Sequence, residues 1–89
     1  MPDKTFELEI LTPTKKVLSG SVTSLIVPAA YGYLGVWANH APLIAALQPG
    51  KITYRDPAGG TAVLQSGGSG LLEVYKNKAT VLADQIEPI

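Results

Sequence analysis

The sequence predicts an all-β fold, a β-sandwich of two mainly antiparallel sheets, from three observations. Apolar and polar residues alternate with a period of two, Gly and Pro turns recur at short intervals, and no stretch of ten residues carries helical periodicity. Together these point to roughly ten short strands.

The clearest strand opens the chain, where Phe6, Leu8 and Ile10 alternate with Thr5, Glu7 and Glu9 and so give one dry face and one wet face. Thr12-Pro13-Thr14 supplies a turn, Val17-Leu18 a short strand before Ser19-Gly20, and Val22 to Val27 a β-branched run that stops at Pro28. Gly32 and Gly35 bracket Tyr33-Leu34, Val36-Trp37 reads as a brief strand, and Asn39-His40-Ala41-Pro42 reads as a loop. Only six residues separate Pro42 from Pro49, too few for a stable helix, so this segment is expected to be extended and buried.

Alternation returns at Ile52 and Tyr54, and Asp56-Pro57-Ala58-Gly59-Gly60 provides hairpin chemistry before Thr61 to Gln65. Ser66-Gly67-Gly68-Ser69-Gly70 joins two apolar runs and is read as a turn or bulge. Leu71 to Tyr75, a Lys76-Asn77 turn, and Ala79 to Ala83 complete the set.

With 89 residues, the sequence suits one domain over residues 1–89 with a single core. A hydrophobic fraction of 46% against 16% charged residues is that of a folded chain rather than a disordered one. Seven basic residues balance seven acidic ones and are scattered, which leaves no stripe for a phosphate backbone and argues against nucleic acid as a partner. Cysteine is absent, so disulfides, thiolate metal sites and cysteine nucleophiles are excluded. No signal peptide or membrane span is visible at the N-terminus, and a soluble protein is expected.

Chemistry-bearing constellations are thin. His40 is the single histidine, without the cysteine or carboxylate cluster that a metal site needs. Ser66, His40 and Asp84 supply the residue types of a nucleophilic triad but lack a Gly-x-Ser-x-Gly elbow. Gly67-Gly68-x-Gly70 lacks the following helix and lysine of a phosphate loop. Tyr31, Tyr33 and Trp37 cluster around glycines, either as an exposed aromatic contact patch or with Trp37 in the core and the tyrosines over its edge.

The stretch Val27-Pro28-Ala29 through Gly32-x-Leu34-Gly35-Val36, then Asn39-His40-Ala41-Pro42-Leu43-Ile44-Ala45-Ala46-Leu47-x-Pro49-Gly50-x-Ile52, resembles the epsilon subunit of rotary F-type ATP synthases. Leu18-Ser19-Gly20, Gly67-Gly68 before Leu72-Glu73-Val74, and Thr80-Val81-Leu82-Ala83-Asp84 extend the resemblance over nearly the whole chain.

The resemblance implies a non-catalytic rotor subunit without cofactor, docking the gamma subunit onto the polar loops of the c-ring, at the cytoplasmic face of a bacterial inner or thylakoid membrane. It places the partner-facing positions at Thr12, at Tyr31, Gly32, Tyr33 and Leu34, and at Asn39, His40, Ala41 and Pro42. His40 is expected to donate a hydrogen bond to a partner carbonyl. The competing expectation is a free-standing module that binds a small ligand or glycan on Tyr31, Tyr33 and Trp37.

Three departures from the family pattern stand out. Ser69-Gly70 lengthens the turn before Leu71 and suggests a widened loop. Tyr33 stands where many relatives carry an acid. The sequence ends at Ile89, where relatives commonly continue into two helices, so inhibition and ATP binding by those helices are expected to be absent from this polypeptide.

Overall fold

The computed structural model describes residues 4–89 as eight strands. They are β1 (Phe6–Leu11), β2 (Lys16–Val22), β3 (Ser24–Ala29), β4 (Gly32–Trp37), β5 (Leu43–Leu47), β6 (Gly50–Arg55), β7 (Thr61–Tyr75) and β8 (Lys78–Pro88). The hydrogen-bonded order runs β2-β1-β8-β7-β5-β3-β4, with β6 bridging β3 and β7. Every ladder is antiparallel except that of β1 with β8.

Two long strands turn this network into a sandwich. The C-terminal half of β7 pairs with β5 from Leu43↔Val74 to Leu47↔Gly70, while its N-terminal half pairs with β6 from Gly50↔Ser66 to Arg55↔Thr61. β8 accompanies β7 through both halves. One layer is therefore β2-β1-β8-β7-β5 and the other is β4-β3-β6 with the far ends of β7 and β8. A single bridge, Ala29↔Leu47, joins β3 to β5.

The core follows from the alternation. Phe6, Leu8 and Ile10 of β1, Leu72 and Val74 of β7, and Ala79 and Val81 of β8 point inward from the first layer. Leu25 and Val27 of β3, Val36 of β4 and Ile52 of β6 meet them from the second. All the buried side-chain polar atoms among the described residues are hydrogen-bonded. Ser66, for example, donates to the Gly50 carbonyl at 3.0 Å, so its burial leaves no unmet donor.

The glycine-rich segment is a bulge inside a strand, not a widened loop. Gly67 pairs with Gln85 and Gly70 with Ala83, so Gly68 and Ser69 together face the lone Asp84. Gly68 adopts φ of 70°, a left-handed conformation that costs other residues dearly, and the Ser69 amide donates to Asp84 Oδ2 at 2.9 Å. The phase of β8 changes at the same point: buried and exposed residues alternate through Ala83, Asp84 and Gln85 are both exposed, and Ile86 turns back toward the core. The chain thereby bends from one layer to the other without losing its pairing.

This bulge explains why eight strands stand where about ten short ones were expected from the turn spacing. Thr61 to Gln65, the glycine segment and Leu71 to Tyr75 fuse into one 15-residue strand. Pro42 to Leu47 is extended as expected, but it is buried on one side only: Leu47 is in the core while Ile44 and Ala46 face outward. The Lys76-Asn77 turn is present, with φ of 49° and 60°, the pair of positive values that a two-residue hairpin with correct twist requires.

Gly68→Ala should lower unfolding free energy by about 1–3 kcal/mol, since alanine must both adopt the left-handed region and displace Asp84. Gly20→Ala, on β2 with open space around its Cα, should change stability far less. Chemical denaturation of the two variants beside the parent chain checks the contrast.

Candidate docking interface

The sequence-predicted positions fall at two ends of the sandwich. Thr12 follows β1, and its amide donates to the Lys15 carbonyl at 2.9 Å to close the turn into β2. It borders a groove of about 380 Å³ whose lining also includes Leu11, Leu71, Leu82 and the bulge residues Ser69 and Gly70. The β3–β4 turn at Tyr31 lies toward the same end, because Ala29 pairs with Leu47 and Leu47 with Gly70. Three bonds anchor it: Ala30 N–H to the Ala46 carbonyl, Gln48 N–H to the Pro28 carbonyl, and the Gln48 side chain to the Ala29 carbonyl.

Tyr31 is fully exposed at the tip of this turn. Tyr33 instead lies back along the sheet, where its hydroxyl accepts a hydrogen bond from the Lys51 amide at 3.2 Å. Gly50 permits that path, since a Cβ there would sit 2.7 Å from Pro28 Cβ and 3.1 Å from the Tyr33 hydroxyl. Gly32 holds φ of 130° at the turn exit, and Leu34 is partly buried against the core.

Asn39, His40, Ala41 and Pro42 connect β4 to β5 at the opposite end. There the Asn77 side chain acts as a clamp: Oδ1 accepts from the Asn39 amide at 2.7 Å and Nδ2 donates to the Thr5 carbonyl at 2.9 Å. The Asn77 carbonyl in turn accepts from the Glu7 amide at 3.1 Å. His40 Nδ1 lies 2.6 Å from the Ala41 carbonyl, which assigns its proton to Nδ1 and commits that donor inside the loop. In that tautomer Nε2 carries no proton and can only accept, so the neutral ring does not make the expected donation to a partner carbonyl and offers a partner donor an acceptor instead. The sequence offered no signal for Asn77 as the residue that shapes this loop, because its partners lie 38 and 72 positions away.

Between the two ends runs the outer face of the first layer. Leu11, Leu82, Leu71 and Ala46 are paired neighbours across β1, β8, β7 and β5. This makes an apolar row one strand after another, with Ile44 beyond it at 68% exposure. Next to the row stands a charged cluster in which Glu9 meets Lys16 Nζ at 3.1 Å and Lys78 Nζ at 3.8 Å. The hydrogen bond from Lys16 holds the Glu9 carboxyl below its ordinary pKa, with Lys78 adding to the effect against an opposing contribution from burial.

The groups considered for chemistry are separated and engaged elsewhere. Ser66 binds the Gly50 carbonyl, Asp84 binds the Ser69 amide, and His40 lies at the far end of the molecule. Among the described residues no group of three or more His, Cys, Asp or Glu could hold a metal ion. Nor do Tyr31, Tyr33 and Trp37 converge on one cleft: Trp37 borders a separate hollow with Lys4, Thr23, Ser24, Ala38 and Arg55. No helix among the described residues is long and apolar enough to cross a membrane.

Fold and surface together define a small β-sandwich whose contact-forming features are broad outer faces and end loops. Residues 5–89 match the family described as ATP synthase, Delta/Epsilon chain, beta-sandwich domain, and the chain belongs to that family. It is similar to the ATP synthase epsilon chain of Pelotomaculum thermopropionicum, 45% identical over 87 residues that cover 98% of this chain and 63% of the relative. The epsilon chain of Solibacter usitatus is 46% identical over 87 residues with the same coverage, and that of Dichelobacter nodosus 39% identical over 80 residues, 90% of this chain and 55% of the relative. The chain thus spans 55–63% of the length of these relatives.

The fold also recurs in solved structures. A chain in the cryo-EM structure of the Euglena gracilis mitochondrial ATP synthase (OSCP/F1/c-ring) superimposes with a TM-score of 0.89 at 17% identity, covering 94% of this chain and 53% of the other. One in the central stalk and c-ring structure from Tetrahymena thermophila gives 0.82 at 14% identity, covering 99% and 69%.

Two outcomes are expected. Asn77→Ala removes both clamp bonds and should destabilise the fold by roughly 1–3 kcal/mol, with amide exchange rising at Asn39 before it rises in the core strands. The lowered pKa of Glu9 means that its contribution to stability is present above the ordinary carboxylate value of 4.5 and is lost as pH falls through the folded-state value. Replacing Lys16 and Lys78 together by Gln should accordingly lower stability at neutral pH and leave it much less changed below the folded-state value, so that the acid limb of a stability-versus-pH curve flattens.

Proposed function

We propose that the chain acts as a non-catalytic rotor subunit of a proton- or sodium-translocating F-type ATP synthase, joining the gamma subunit to the c-ring at the cytoplasmic face of the membrane. Family membership supports this role, and the observation that carries the docking assignment is the exposed apolar row Leu11, Leu82, Leu71 and Ala46. Covering such a row from water is favourable by roughly 25 cal/mol per Å² of apolar surface before the costs of association.

Gamma is assigned to this face, bounded by Thr12 at one end and by Asn39, His40, Ala41 and Pro42 at the other. The Tyr31, Gly32, Tyr33 and Leu34 turn is assigned to the polar loops of the c-ring, with Tyr31 as the projecting group and Tyr33 contributing its exposed ring edge. Rotational coupling of ion flow to ATP synthesis asks that the body between the two contacts resist deformation. A close-packed sandwich with long strands continuous through both layers meets that demand.

Leu71→Glu with Leu82→Glu should weaken capture of gamma by at least about tenfold in a titration, two partly exposed leucines being worth more than 1.4 kcal/mol together. His40→Asp with Pro42→Gly should weaken it as well while the isolated chain stays folded. Gamma binding unchanged by both pairs would overturn the assignment.

A further inference from the structure

We propose that the outer face of the second layer is a separate docking surface for an acidic segment with apolar side chains, on the side of the sandwich away from the face assigned to gamma. Its residues are arranged as cross-strand rows on β4, β3, β6 and β7. Trp37 pairs with Ser24, Ser24 with Arg55, and Arg55 with Thr61. In the next row Gly35 pairs with Ile26, Ile26 with Thr53, and Thr53 with Val63. Beyond these, Tyr33 reaches over Pro28 to the Lys51 amide. Aromatic rings thus occupy the β4 edge, aliphatic side chains the middle, and the cations Lys51 and Arg55 strand β6.

Two features make this surface suited to a partner rather than to water. Trp37 is 58% exposed, Tyr33 62% and Ile26 38%, so large apolar groups lie together on one face; such residues with Arg are those that dominate binding energy at interfaces. Gly35 lets the indole lie flat: a Cβ there would sit 2.5 Å from Trp37 Cζ3, so any other residue would push the ring off the sheet.

Charge decides the partner. Although the whole chain is formally neutral, its cations differ by face in whether they are paired. Both ion pairs among the described residues end on Glu9, in the first layer, where Glu7 and Glu73 also point outward. Neither Lys51 nor Arg55 has a carboxylate within ion-pair distance among those residues. Asp56, beside Arg55, directs Oδ1 to the Gly60 amide at 2.8 Å. Glu87 is kept from Lys51 by Gln65, which pairs with both. Two cations unpaired among the described residues, beside an apolar stripe, complement a segment that carries carboxylates next to its apolar side chains, and repel one that carries lysines.

The single tryptophan provides the readout, because all indole fluorescence of the chain comes from Trp37. The probe is a short acetylated peptide alternating leucine and glutamate, and the control is the same peptide with lysine for glutamate. The glutamate peptide is expected to shift Trp37 emission to the blue with saturation and to bind at least tenfold more tightly than the lysine peptide. Lys51→Glu with Arg55→Glu should reverse that order without altering the melting temperature by more than a few degrees. Equal responses to the two peptides, no saturable response to the glutamate peptide, or a preference untouched by the charge reversal would each overturn the proposal. Leu71→Glu with Leu82→Glu should leave this peptide binding intact, so failure here is distinguishable from failure of the gamma assignment.

Discussion

The structure depends on one constraint, that β7 and β8 stay paired while passing from one layer of the sandwich to the other. Ten register positions join them, from Leu64↔Pro88 to Tyr75↔Lys78. A straight ladder of that length would leave one flat sheet with an apolar face against water. The two-against-one step at Gly68 and Ser69 bends the ladder, Asp84 satisfies the amide that the step would orphan, and both apolar faces then close on each other. The placement of β5 and β6 on successive halves of β7 follows from that bend.

The bend also positions the surfaces that have functional readings. It places Thr12, Gly70 and Leu82 around one groove, since β1 ends where β8 reaches the bulge. At the other end, the tight Lys76-Asn77 turn puts the Asn77 side chain between β1 and the β4–β5 connection. Thr12 and His40 thus mark opposite borders of one face rather than parts of one cluster. The proposed docking role asks for such separated contacts on a body that does not flex between them.

Much of the fold was legible because strand alternation is local. Phe6, Leu8 and Ile10, or Ile52 against Lys51 and Thr53, declare their faces within five residues. What was not legible rests on partners far away in the chain. The Ser66 to Gly70 segment reads as a turn or a bulge, and only Asp84 across the ladder settles it as a bulge within a strand. Leu43 to Leu47 reads as wholly apolar, yet β5 is covered on one side only, so Ile44 is exposed. Trp37 fitted core and surface equally well; Gly35, two residues earlier on the same face, settles it outside by giving the ring a flat seat.

The residues alone determined the all-β class, the turns and the family resemblance, since these depend on alternation, turn chemistry and motif order along the chain. Tertiary structure alone decided that eight strands rather than about ten short ones form the sandwich, that the nine candidate positions divide between two ends, and that the ion pairs on Glu9 and the exposed rings of β4 lie on different faces. The physical reason is that a strand's inner face is set by its own pattern, whereas its outer face acquires meaning from the strands hydrogen-bonded beside it. In an antiparallel sandwich those neighbours come from the whole length of the chain.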